Sequence, residues 1–330
     1  MLQEASQFKF VETAWYEQGF SDVFAAQIAP ALQELERERL AINHRTGKWI
    51  EIILAVTTTL SVAAAIYVHI ALALFPLFWG CALALLVYTS RGRKFEEQLS
   101  ELASPIICEF LGDLRHFKKP KPGFHPIKLL RDLRVIPQHD NARFEDSVEG
   151  KWRNVTYRSV QASFSNTYRD SNGDRKTRTL FSGLLIAVQC PIEMPKIIFL
   201  ADHGDFLNVL NKWATKGSDH LKKLDLSNAE CEEVYEVYTD DPACAEQLLG
   251  TDFGQKLNEL SRKPDGTDRR ITAAFEGHWF YMAIDLDHDF MNFTSIDQPL
   301  SKFDEKVHAA FDDLMLPRTI IDLLLALPDS

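Results

Sequence analysis

The chain has 330 residues, 46% of them hydrophobic, with 36 Lys and Arg against 47 Asp and Glu for a net charge of −11. That length supports a globular domain with its own core, and the acidic balance disfavours nucleic acid as a partner. The acid is concentrated in residues 141–330, whereas residues 91–140 carry a positive excess.

Residues 1–48 read as a helical segment on the cytoplasmic side. Phe20, Val23, Phe24, Ile28, Leu32 and Leu35 form its apolar stripe, and Pro30 is expected to bend or break it. From Ile52 to Tyr88 the chain then runs 37 residues with no Asp, Glu, Lys or Arg and one strongly polar side chain, His69. One span of hydrocarbon needs about 20 apolar residues, so the run is too long for one straight helix and fits two short ones. Residues 49–90 are therefore read as a transmembrane hairpin that reverses near Tyr67, Val68 and His69. Arg37, Arg39, Arg45 and Lys48 flank one end, Arg91, Arg93 and Lys94 the other, and the reversal has no Lys or Arg. This pattern places both termini in the cytoplasm. Trp49 and Tyr88 fall where interfacial aromatics belong, small residues such as Ala63, Ala73 and Gly80 allow close helix approach, and Pro76 is expected to kink the second span. The competing readings are a buried helical pair in a soluble protein, or one tilted span with an interfacial segment. The run begins too far along the chain for a cleaved signal peptide.

Residues 91–140 form an amphipathic helix and a basic linker. The helix is read from Lys94 to about Phe117, with Phe95, Leu99, Leu102, Ile106, Phe110 and Leu114 at three- and four-residue steps. The two stripes are expected to pack on each other as a stalk. The stretch from Arg115 to Lys128 is rich in Lys and Pro and reads as a solvated linker, whose lysines reach anionic head groups only if they lie within about 8 Å of the membrane surface.

Residues 141–330 read as a cytoplasmic α+β domain with a mainly antiparallel sheet and packed helices. Val155 to Phe164 alternates like a half-buried strand, Asp170 to Asp174 supplies a turn, and Leu180 to Val188 returns. Further strands are read at Ile197–Leu200 and Glu232–Tyr238. A hairpin pairs Ile271–Phe275 with Trp279–Ile284 through Glu276-Gly277, and Val148–Trp152 echoes it as a second turn. Asp241 looks like a helix N-cap followed by Pro242, with Gly250 closing the helix. Leu249, Phe253, Leu257 and Leu260 stripe the next one. A last helix carries Val307, Ala310, Phe311 and Leu314 and is expected to break at Pro317.

Leu32 to Arg39 ahead of a twin-spanning hairpin, followed by the stretches Glu145 to Arg153, Leu180 to Ile186, Glu236 to Pro242 and Ala274 to Ile284, resembles the bacterial domain-of-unknown-function family three-one-three-seven, over most of the chain from about Phe20 to the end. The resemblance implies an inner-membrane protein with a cytoplasmic domain. It assigns no catalytic residue, so the catalytic residues are unknown.

The densest set of reactive side chains is Asp285, Asp287, His288 and Asp289, with a second at Asp202, His203 and Asp205. Carboxylates at alternate positions can share a hard cation, but a calcium loop of the EF-hand type needs Gly at its sixth position and Glu at its twelfth. Here those positions are Phe290 and Ile296, so no residue is assigned as a metal ligand. Cys81, Cys108, Cys190, Cys231 and Cys244 form no CxxC pair and are read as reduced thiols, not as a disulfide scaffold or zinc site. There is no phosphate loop, dinucleotide fingerprint, HExxH or GxSxG elbow, and no cofactor is expected. The isolated histidines, His278 and His308 among them, are read as surface or satisfied core residues. The expected function is a membrane-tethered binding or scaffold module whose partners are the lipid bilayer and an unknown protein or small molecule. The alternative is a membrane-anchored, metal-dependent enzyme using the acidic clusters near Asp202 and Asp285. A channel or transporter subunit is disfavoured, because the spans lack paired charges and broken-helix signals.

Overall fold

The computed structural model describes residues 8–67, 74–121, 123–201, 221–224, 235–262, 269–293 and 296–326. The chain is α+β: helices come first, then a mainly antiparallel sheet with packed helices. It divides into two units, one of residues 1–110 and 292–311 and one of residues 111–291 and 312–330.

The first unit is helical. After α1 (Phe20–Val23) a π-helical turn covers Phe24–Ile28, and α2 runs from Ala29 to Tyr67. Pro30 does not break the helix. It lacks an N–H and crowds the carbonyl four residues back, and the wider turn just before it relieves both. α3 (Leu74–Ser90) follows, and α4 runs from Arg93 to Leu111. Pro76 lies within α3, two residues past its first described residue. The reversal at Val68 and His69 lies outside the described residues. α3 lies closely against α2: a methyl group added at Gly80 would sit 2.3 Å from Thr57 Cγ2. Past their first few turns the two helices bury little else, and Ile52, Val56, Leu60, Ile66, Leu74, Phe78, Leu83 and Leu86 all face outward.

Below them the apolar stripes meet as expected, joined by an element from far along the chain. Phe20 packs edge-on to Phe110 at 5.0 Å and to Phe311 at 4.8 Å, and Phe24 meets Phe303. On α4 the buried face is Phe95, Leu99, Ala103 and Ile107, whereas Leu102 and Ile106 are half-buried. Residues 8–19 strap onto the same core. Glu17, almost fully buried, accepts hydrogen bonds from the Thr13 and Ala14 N–H groups and pairs with His308 Nδ1 at 2.5 Å. Burial would raise this carboxyl, but those hydrogen bonds hold it below the usual carboxylate range.

The second unit is built on a seven-stranded antiparallel sheet in the order β1-β2-β3-β4-β6-β5, with β7 also on β4. α4 stops at Leu111 and is followed by the edge strand β1 (Leu114–Phe117), so the basic stretch expected to be a linker begins inside the sheet. α5 (Ile127–Asp132) closes that stretch. β2 (Asn141–Trp152) and β3 (Val155–Arg169) are joined at Arg153-Asn154, both at positive φ, which is the geometry of a two-residue hairpin loop. The turn expected within Val148–Trp152 is therefore continuous strand. A bulge at Asp146 turns its carboxylate toward β1, where it takes His116 Nε2 at 2.9 Å.

β4 (Arg175–Ala201) unites two segments that read as separate strands. Pro191 and Pro195 lack the N–H a ladder needs, and the register shifts between Gln189 and Ile197. Its first half pairs with β3 and its second with β6 (Tyr235–Thr239), next to which lies the short β5 (Lys222–Leu224). β7 (Ile271–Asp285) follows β4 through the same bend as a single strand. The expected hairpin at Glu276-Gly277 is thus a local bend, with Gly277 at φ +58° opposite Met194.

Both faces of the sheet are covered, so β4 reads as an unbroken apolar run from Leu184 to Val188. One face packs on Leu130, Leu133, Val135 and Ile136. The other meets α6 (Pro242–Leu249) and α7 (Asp252–Ser261), with Phe253 5.5 Å from Phe275 and 5.8 Å from Phe280. Asp241 caps α6 through Cys244 N as its sequence suggests, and Thr251 caps α7. The last helix, α8 (Phe303–Leu325), passes through Pro317 without breaking. Ile320, Ile321 and Leu324 beyond it are as buried as Phe311 and Leu314 before it. Burying three such side chains at about 1.5–3 kcal/mol each outweighs the roughly 3 kcal/mol a helical proline costs.

Candidate functional site

The acidic run lies where β7 leaves the sheet, and each of its members takes a different partner. Asp285, the last residue of β7, is paired across from Gly183, accepts Arg270 Nη2 at 2.6 Å and donates its N–H to the Arg270 carbonyl. Asp289 Oδ1 accepts from the amide of Gln161 on β3 at 2.8 Å. Asp287 lies at the surface against His288 Nδ1 at 2.9 Å. The other ring nitrogen, Nε2, meets Asp313 Oδ2 at 2.8 Å. Asp313 stands on α8 with only 6% of its side chain exposed.

This arrangement decides what His288 can do. The hydrogen bond to Asp313 raises the imidazole to about 9 against the opposing effect of burial, and the charges of Asp313 and Asp287 add to the rise. Burial pushes the Asp313 carboxyl up, and the hydrogen bond and charge of His288, with Arg269, draw it back. At neutral pH His288 is therefore an imidazolium whose two N–H groups are both donated. It has no lone pair for a metal or for a proton taken from a substrate. Its role is to clamp the loop after β7 to α8. Among the described residues no group of three or more His, Cys, Asp or Glu side chains is placed to hold a metal ion. Asp202, His203 and Asp205 lie outside the described residues, as does Cys231.

Two of the thiols are driven away from the thiolate form. Cys190 is pushed up to about 12 by burial in β4, and Cys244 is raised by burial and by Asp241. Cys108 is buried in α4, and Cys81 is exposed on α3. His125, inside the stretch expected to be linker, is a core residue. Neither ring nitrogen has a hydrogen-bond partner among the described residues, and burial with the Arg158 charge lowers it to about 3. His308 is engaged by Glu17, and His278 lies on β7.

Two charges that read as membrane flanks do other work. Arg39 is buried, grips Glu36 through Nε and Nη2 and donates from Nη1 to the Ile296 carbonyl at 3.2 Å. Asn43 reaches the same carbonyl, and Glu36 accepts the Leu300 N–H. Arg91 pairs with Asp297 and lies 3.8 Å from the centre of the Tyr88 ring, and the Tyr88 hydroxyl donates to Asp297. Both helices of the hairpin are thereby fastened to residues 296–300. Sequence gave no sign of this, because the partners are more than 200 residues apart.

No curated protein matches the chain. The crystal structure of the mycobacterial trehalose monomycolate transport factor A, TtfA, is similar over 66% of this chain and 90% of its own, with 13% sequence identity and a TM-score of 0.32. The model of a family described as "Protein of unknown function (DUF3137)" matches residues 179–325, from near the start of β4 to the end of α8, and over that stretch the chain is similar to this family.

Proposed function

We propose that this protein is a membrane-tethered binding or scaffold module of the bacterial inner membrane. In this reading α2 and α3 cross the bilayer, both termini lie in the cytoplasm, and the α+β unit recruits a protein or small-molecule partner. The observation that carries it is the outward-facing apolar surface of the hairpin. Both helices are long and apolar enough to cross a membrane, and in their most apolar stretches 0% and 11% of residues are buried. A core helix would bury that surface, and water would not tolerate so large a patch. Lipid removes the penalty, and helices satisfy their own backbone groups inside it. The cationic flanks at Arg45, Lys48 and Lys94 lie at the charged ends of the pair, which supports the cytoplasmic orientation. Binding is favoured over catalysis because His288, the best-placed titratable group, has both nitrogens engaged.

Reporter fusions at the two termini test the topology. Both are expected to report the cytoplasm, and tails on opposite sides would overturn the hairpin. Affinity capture from solubilised membranes is expected to return one reproducible partner of the α+β unit, and repeated blank captures would overturn the binding role.

A further inference from the structure

Beyond the core, β3 and β4 continue as a two-stranded arm. β2 begins opposite Ser165 and β7 reaches only to Gly183, so residues 166–178 pair with each other alone. Isolated two-stranded hairpins are marginal in water. This one is closed by Asp170, whose Oδ1 accepts the N–H groups of Asn172 and Asp174 and whose Oδ2 takes Lys176 Nζ at 2.6 Å. The arm holds four Lys and Arg against two Asp, inside a region of the chain that is otherwise strongly acidic.

Its register puts Arg169 directly opposite Arg175, with Thr167 and Thr177 next on the same face. Directly opposed residues of an antiparallel pair bring their Cβ atoms within about 5 Å, and like charges in that position destabilise the strands. Neither guanidinium has an ion-pair or hydrogen-bond partner among the described residues. Between them and the start of β2 opens a cleft of about 340 Å³ lined by Asp140, Asn141, Thr167, Tyr168, Arg169 and Arg175. Asp140 is the one acid in that lining, and its Oδ2 accepts the Thr167 N–H at 3.0 Å, so two guanidinium groups against one carboxylate leave the cleft with a positive excess. Asn141 Nδ2 donates to Thr167 Oγ1 and fixes the wall.

We propose that the β3–β4 arm is an anion-binding site in which Arg169 and Arg175 grip a phosphate group between two planar forks. An arginine pair opposed in register, with no ion pair of its own among the described residues, is balanced when an oxyanion enters, and guanidinium geometry suits bidentate contact with phosphate. Thr167 Oγ1 lies on the same face as a further polar group. The site is distinct from the acidic run after β7 and does not depend on the scaffold reading.

The test uses the full chain in nanodiscs. In neutral phosphatidylcholine discs and phosphate-free buffer, pyrophosphate is titrated against the wild type, Arg169→Gln and Arg175→Gln, following melting temperature and calorimetric heat. A second arm replaces part of the lipid with phosphatidylglycerol and omits pyrophosphate. Saturable stabilisation by pyrophosphate, at least tenfold weaker in either variant, supports a soluble phosphate ligand. Stabilisation by the anionic discs alone, lost in the same variants, supports a lipid head group. Each variant without ligand is expected to melt no lower than the wild type, because it relieves the repulsion, whereas a purely structural arginine would lower the melting point when removed. No saturable response in either arm, or equal responses in wild type and variants, would overturn the proposal.

Discussion

His125 and His288 are two imidazoles of the same unit driven in opposite directions. His125 is held neutral in the fold, at about 3, and takes up a proton near its ordinary 6.5 once unfolded. Its contribution is fully present above about pH 6.5 and is lost as pH falls toward 3, at up to about 1.4 kcal/mol per pH unit. The His125→Phe variant, followed by urea unfolding between pH 4 and 7, is expected to flatten that acid limb while leaving the neutral midpoint nearly unchanged. His288 has the opposite sign. Its folded state holds the proton up to about 9, so its stabilisation is full below pH 6.5 and fades as pH rises through 9. The Asp313→Asn variant removes the carboxylate that raises it, and an NMR titration of the His288 ring is expected to show its midpoint falling well below 9. Gly183 makes a third point at this scale. A methyl group there would lie 2.1 Å from the Ile284 carbonyl oxygen and 2.9 Å from Asp285 Cα, both backbone atoms that cannot swing away. Gly183→Ala is expected to cost about 1–3 kcal/mol, read as a lower urea midpoint.

Elements were legible where local chemistry decides them and misread where distant packing does. The β3–β4 hairpin, the Asp241 cap and the α2–α3 pair follow from alternation, capping and sustained apolarity. Glu276-Gly277 and Pro317 carry the marks of a turn and a break, yet Gly277 only bends a strand that β4 already holds, and Pro317 lies between two buried stretches of one face. The candidate site was half legible. The run from Asp285 to Asp289 stands out by composition, but the partners that decide its role, Asp313, Gln161 and Arg270, come from α8, β3 and the stretch ahead of β7. No local pattern encodes them. Within the hairpin, Gly80 sits so close to Thr57 that any side chain must separate the helices. Gly80→Leu is expected to destabilise the micelle-embedded protein by about 1–3 kcal/mol in an SDS titration, while the same change at the outward-facing Ala82 leaves it unaltered.

At the scale of the whole molecule, the helical unit is assembled from chain that is not contiguous. Residues 292–311 supply Ile296, Asp297, Leu300, Phe303 and Phe311 to partners that precede residue 111. A chain cut after residue 291 therefore keeps both apolar helices but loses their fastening. It is expected to insert into membranes and to be cleaved by added protease between Phe20 and Arg39 and along α4, at sites shielded in the full chain. Order of manufacture follows from the same arrangement. At roughly 5–20 residues per second, the ribosome needs on the order of ten to forty seconds to make the stretch between Phe110 and Asn292. During that interval Arg39 and Glu36 have each other but not the Ile296 carbonyl and Leu300 N–H that they take in the finished fold, so the helical unit is begun first and closed only after residues 111–291 have been made, and a stalled or truncated product stays open to quality-control proteases.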